Sequence, residues 1–120
     1  MRVKLFFVMA VALLWSASVF SETIGGFVVG NGLFSVCSDG DERAKAYCKG
    51  YVLGVMDALM VVNAMKENGF AIASACLQEH VASDQVRDVV VQYLTAHPET
   101  RHQPAAAEAL KALLAAFPCK

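Results

Sequence analysis

Long apolar runs, recognisable catalytic motifs and an excess of positive charge are all missing from this chain, and each absence narrows what it can be. The longest uncharged apolar stretch, Leu5 to Trp15, has eleven residues. As a helix it covers about 16 Å against a hydrocarbon core of about 30 Å, so it is too short to span a membrane. There is no G-x-S-x-G, no phosphate-binding loop and no H-E-x-x-H, so the chemistries that travel with those motifs are not expected. The four cysteines stand 11, 28 and 43 residues apart, without the C-x-x-C type of pair that marks structural zinc. Nucleic-acid binding needs a basic footprint, and the formal net charge is −1. Alternating strand patterns are absent too. Phe27-Val28-Val29 is the only candidate, and a weak one. Neither an internal repeat nor a low-complexity tail is present.

What is there begins with an export signature. Arg2 and Lys4 make a short positive start, Leu5 to Trp15 an apolar centre, and Ser16 to Ser21 a small-residue end with Val19 and Ser21 at the −3 and −1 positions. This is the layout of a cleaved signal peptide over residues 1–21. No cysteine sits just after the apolar run, so lipid attachment there is not indicated. Loss of Arg2 and Lys4 moves the charge of the remaining chain from −1 to −3, which is mildly acidic. Cys37, Cys48, Cys76 and Cys119 all lie in that remainder. An even count in a small exported domain reads as two disulfides and a periplasmic location. The chain length supports one domain.

Residues 22–30, with Gly25, Gly26 and Gly30, read as a flexible lead-in. Asn31 is a candidate cap for a short helix ending at Cys37. The longest helical pattern runs from about Asp41 to Lys66, with Tyr47, Tyr51, Val55, Ala58, Leu59, Val62 and Met65 at spacings of three and four, and stops at Asn68-Gly69. Residues 70–80 read as an apolar connector. Ser83 is a candidate cap for a third helix with the stripe Val86, Val89, Val90, Tyr93 and Leu94, halted by Pro98. Pro104 suits the first turn of the last helix, whose apolar face is Ala106, Ala109, Leu110, Leu113, Leu114 and Phe117. The expected fold is all-α: a small disulfide-stapled domain over residues 31–119, with three main helices plus a short N-terminal one.

Short connections make antiparallel neighbours. The end of the last helix then returns to the start of the third, which favours Cys76–Cys119, and the tight turn after the short helix favours Cys37–Cys48. The other pairings stay open. In the loop-closure account the two are worth about 4 and about 3 kcal/mol. Gly50-x-x-x-Gly54, continued by Ala58, reads first as close helix packing inside one subunit and second as a dimer contact. Asp57, inside an apolar run, is read as facing solvent or a structural partner such as Arg43, Lys49 or Arg87. His80, His97 and His102 are read as loop residues. No catalytic residue, metal or cofactor is expected, and the chain is not read as an enzyme.

Four ordered blocks then carry a resemblance: Cys48-Lys49-Gly50-Tyr51-Val52-Leu53-Gly54-Val55-Met56-Asp57-Ala58, the helix Gln85 to Leu94, the segment His97-Pro98-Glu99-Thr100-Arg101-His102-Gln103-Pro104-Ala105, and the ending Ala109-Leu110 through Ala116-Phe117-Pro118-Cys119. Together they resemble the Tai-type amidase-immunity family of type VI secretion systems, over roughly residues 30–119. One departure is Cys76-Leu77-Gln78, where that family tends to have C-x-P. The resemblance implies an all-α periplasmic protein, often dimeric, that binds and inhibits a peptidoglycan-degrading amidase effector. It also implies a fold like that of small periplasmic acid-stress chaperones, so a chaperone-like or accessory envelope role without a toxin partner is the alternative. Loops on a rigid scaffold are the usual place for such contacts. The candidate partner-binding residues are therefore Lys66, Asn68 and Phe70 in one loop, and His97, Glu99, Arg101 and His102 in another.

Overall fold

The computed structural model describes residues 26–65 and 75–119. They form four helices: α1 (Gly30–Ser38), α2 (Glu42–Ala64), α3 (Ser83–Ala96) and α4 (Ala105–Ala116), with a short 3-10 turn at Pro98–Thr100. There is no strand among the described residues, only the isolated bridges Val29–Pro104 and Ala75–Pro118. The fold is the all-α, doubly disulfide-bonded domain that the helical patterns predict. The expected signal peptide, 1–21, and residues 22–25 of the lead-in lie outside the described residues.

Three of the four helix starts differ from the expected caps, each for a local reason. Asn31 does not cap α1. Instead Gly30 N donates to Gln103 O at 2.9 Å and Asn31 N to Arg101 O at 2.7 Å, so the main chain of a later loop takes up the free N–H groups of the first turn. Ser83 is the first residue of α3, not its cap. Gln85 Oε1 reaches back to accept from Ala82 N at 2.8 Å, half of a capping box. Pro104 sits just before α4 and not within it. At α2 the turn works as read: Asp41 Oδ1 accepts from Arg43 N at 2.9 Å and Ala44 N at 3.3 Å.

The core gathers one or more side chains from every helix. Leu33, Val52, Met56, Val86, Val90, Leu94 and Leu113 are all 1% exposed or less, and burial of each is worth roughly 1.5–3 kcal/mol. The α3 stripe points inward much as its spacing predicts; in α4 Ala109 and Leu113 do so, but Ala106 is exposed and Ala105, Glu108 and Ala112 are buried in its place. In α2 the buried line is Cys48, Val52, Met56 and Leu59, while Tyr47, Ala58 and Met65 are exposed. The expected face is thus rotated by part of a turn. From Gly50 to Ala64 this helix is apolar on nearly every side, so periodicity alone could not choose the face. The buried Cys48 decides it: it is bonded to Cys37, with Cα atoms 5.1 Å apart, and this fixes the foot of α2 against α1. The second bond, Cys76–Cys119, has Cα atoms 4.9 Å apart. It lies beside Cys76 N donating to Phe117 O at 2.8 Å, and so pins the end of α4 to the segment that leads into α3.

The small-residue line is also placed differently from its first reading. Gly50, Gly54 and Ala58 lie on the exposed side of α2, and a Cβ built at Gly50 or Gly54 meets nothing within 4 Å. They therefore do not serve close packing between the described helices.

Candidate partner interface

Residues 97–103 link α3 to α4 and are held from three sides. The first brace is Arg101. Its Nε donates to Leu94 O at 2.5 Å and its Nη2 to Thr95 O at 3.2 Å. These carbonyls are at the end of α3, where a cation is favoured. The same guanidinium lies 3.6 Å above the Phe34 ring of α1, within the range of a cation–π contact.

The second brace comes from α4. Glu108 is the one charged side chain with no exposure among the described residues. It accepts from Thr100 Oγ1 at 2.5 Å and from Lys111 Nζ at 2.6 Å. Burial pushes its pKa up, but the hydrogen bonds from Lys111 and Thr100, with the charges of Lys111 and His97, outweigh burial and hold it below its ordinary value. A buried carboxylate supplied with two donors is a satisfied group, and here it anchors the middle of the loop.

The third brace is main chain. Gly30 and Asn31 donate to Gln103 O and Arg101 O, and Ala105 N donates to Val28 O at 2.8 Å. Gly30 is required at this approach: a Cβ there would stand 2.8 Å from Arg101 O and 3.0 Å from Arg101 Cα. The described end of the lead-in is therefore tied to the loop.

These braces sort the expected contact residues. His97 is half-buried. Its ring stacks on Tyr93 with centroids 4.0 Å apart, and Nδ1 lies 2.8 Å from Tyr93 O. A carbonyl can only accept, so Nδ1 carries the proton. Arg101 is likewise turned to the scaffold. Glu99 and His102 are exposed, and His102 Nε2 accepts from Gln103 Nε2 at 2.8 Å. Lys66, Asn68 and Phe70 lie outside the described residues. His80 is far along the chain in an exposed turn with φ 72°. Asp57 is exposed on α2. Beside the loop, a groove of about 360 Å³ runs between α3 and α4, lined by Val89, Tyr93 and His97 on one side and Ala112 and Ala116 on the other.

Sequence reasoning missed Glu108, Thr100, Phe34 and Gly30. The signal for Glu108 was a lone carboxylate in an alanine-rich helix, three residues before Lys111. The contacts of Phe34 and Gly30 with Arg101 cross about 70 residues of chain and leave no local trace. Among the described residues no group of three His, Cys, Asp or Glu side chains is placed to hold a metal, and no helix is long and apolar enough to cross a membrane.

The arrangement is that of a compact, disulfide-fixed binding domain: a rigid loop with outward polar side chains on a helical support. The chain belongs to the Rap1a immunity proteins, whose family profile matches residues 29–119. This is an immunity-protein family of secretion systems, the class that the four sequence blocks imply; the Tai amidase type is a narrower assignment that the match does not carry. Comparison with curated proteins and with solved structures gives no match. Membership means an immunity protein directed at a secreted effector, and the two disulfides fit an exported protein.

Proposed function

We propose that this chain is a periplasmic immunity protein, exported by the signal peptide 1–21, that acts as a homodimer to bind and inhibit a peptidoglycan-degrading amidase effector. The observation that carries the reading is the loop 97–103. Arg101, Glu108 and the backbone of Gly30 and Asn31 fix its path, while Glu99 and His102 carry no tie to the helices and project outward. A preordered loop loses little freedom on binding, which favours affinity.

The test is protection. Cells producing a periplasm-targeted amidase effector are expected to survive when this chain is co-produced, and the purified pair is expected to co-elute. Glu99→Ala with His102→Ala is expected to weaken binding by more than about tenfold, about 1.4 kcal/mol or more, as truncation of the few hot-spot residues of an interface does. Protection from an effector of another class, with none against amidases, would remove the amidase assignment while keeping the immunity role. N-terminal sequencing of the exported protein is expected to begin at Glu22.

A further inference from the structure

The two disulfides meet solvent differently. Cys76 and Cys119 are both exposed, and each adjoins one member of the isolated bridge Ala75–Pro118 at the rim of the domain. Cys48 has no exposure, and Cys37 is half-buried and packs against the core. Thiol–disulfide exchange needs a thiolate to reach one of the sulfurs, so access decides which bond reacts. The chain on either side of the outer bond has anchors of its own. Ala75 is buried, and its carbonyl accepts from Asn63 Nδ2 at 2.6 Å. Phe117 N donates to Leu113 O at 2.9 Å, and Phe117 O accepts from Cys76 N at 2.8 Å. None of these contacts needs the sulfurs to be joined.

We propose that Cys76–Cys119 is a reversible redox latch, opened by a dithiol reductant while Cys37–Cys48 stays shut as a structural bond. A thiolate of the reductant attacks one sulfur of the outer bond. A mixed disulfide forms, and the other cysteine leaves as a thiolate and takes up a proton. The second thiol of the reductant, deprotonated in turn, attacks the mixed disulfide and frees the first cysteine. Two electrons have then passed to the protein, and the reductant departs as its own disulfide. Because Asn63 and Leu113 still hold Ala75 and Phe117, the helices stay packed and the two thiols remain neighbours, ready to be oxidised again. The open form differs in stability, since the link between residues 43 apart no longer restricts the unfolded chain. The braces of the loop 97–103, which come from Arg101, Glu108 and Gly30, do not involve the latch. Redox state therefore sets how firmly the domain is folded and leaves the loop in place.

Timed alkylation tests this. The purified, oxidised protein is treated with dithiothreitol at neutral pH, quenched with iodoacetamide at intervals and mapped by peptide mass. Cys76 and Cys119 are expected to be alkylated at least about tenfold faster than Cys37 and Cys48, with helical circular dichroism kept once only the first pair has reacted. In urea that unfolds the chain the difference is expected to shrink to within about threefold, because it comes from access in the folded state. Exchange of dithiothreitol for its oxidised form is expected to close the latch and restore the original melting temperature. In a Cys76→Ser, Cys119→Ser variant, Cys37–Cys48 is expected to stay as slow to react as in the wild type. Equal rates in the folded protein, or earlier reaction of Cys37 and Cys48, would overturn the selectivity. Loss of helical signal in step with reaction at Cys76 and Cys119, or failure of the bond to re-form, would overturn the latch.

Discussion

Gly30→Ala separates two physical effects of opposite sign. Gly30 opens α1, and alanine is the better helix former by up to about 1 kcal/mol, so helix propensity alone forecasts a gain. The contact forecasts a loss. The new methyl carbon would stand 2.8 Å from Arg101 O, 3.0 Å from Arg101 Cα and 3.2 Å from Arg101 C. These are backbone atoms that cannot swing aside, so α1 and the loop must part. Overpacking of this kind costs about 1–3 kcal/mol. The hydrogen bonds Gly30 N to Gln103 O and Asn31 N to Arg101 O weaken as well, at about 0.5–1.5 kcal/mol each if lost. Net of the propensity gain, a destabilisation of about 2–3 kcal/mol is expected. At about 4–8 °C per kcal/mol for a domain of this size, the melting temperature should fall by roughly 10–20 °C. Thermal unfolding followed by circular dichroism reads this directly. An unchanged or raised melting temperature would refute the claim that the close approach at Gly30 fixes the loop.

Gly50→Ala is the matching control: with open space around its Cβ, it should stabilise the dilute protein by about 0.5–1 kcal/mol in urea unfolding. Glu108→Ala should cost about 2–3 kcal/mol, because it removes hydrogen bonds to a buried charged group, whereas Glu99→Ala at the exposed surface should stay within about 0.5 kcal/mol. Glu108 also gives a sign with pH. Its folded-state pKa is depressed, so its contribution is full above its unfolded-state pKa and fades as pH drops through the folded value. Urea midpoints of wild type and Glu108→Gln should therefore converge on acidification, and divergence would contradict the assignment. Cys76→Ser with Cys119→Ser should cost about 4 kcal/mol and Cys37→Ser with Cys48→Ser about 3, following loop length. The reverse order of urea midpoints would count against the entropic account.

Much of the fold was legible because its signals are local. Asp39, Gly40 and Asp41 mark the α1–α2 turn, Pro98 closes α3, and the spacing of Val86, Val90 and Leu94 places one face of that helix inward. The α2 face was not legible, since Gly50 to Ala64 is apolar nearly all round and only the bond at Cys48 selects its orientation. The candidate interface was legible as a stretch of chain but not as a set of roles. His97-Pro98-Glu99-Thr100-Arg101-His102 reads as a polar loop, yet the partners that turn Arg101 inward are Phe34, which is remote in the chain, and the main-chain carbonyls of Leu94 and Thr95. Sequence spacing carries no record of such contacts. Glu108 was overlooked for a related reason: a carboxylate on a helix is ordinarily wet, and only the loop folding over it makes it dry.

The Cys76–Cys119 bond has a consequence for survival in a compartment that contains proteases. It joins residues 43 apart in sequence, and α3, the exposed loop and α4 all lie between them. A protease that cuts the loop at Glu99 or His102 therefore produces no free fragment. The two pieces stay linked through sulfur, with Val86, Val90 and Leu94 still facing Ala109 and Leu113 across the core. A clipped molecule would run as one band on a non-reducing gel and as two after reduction, so a single cut costs the loop but does not set the two pieces free.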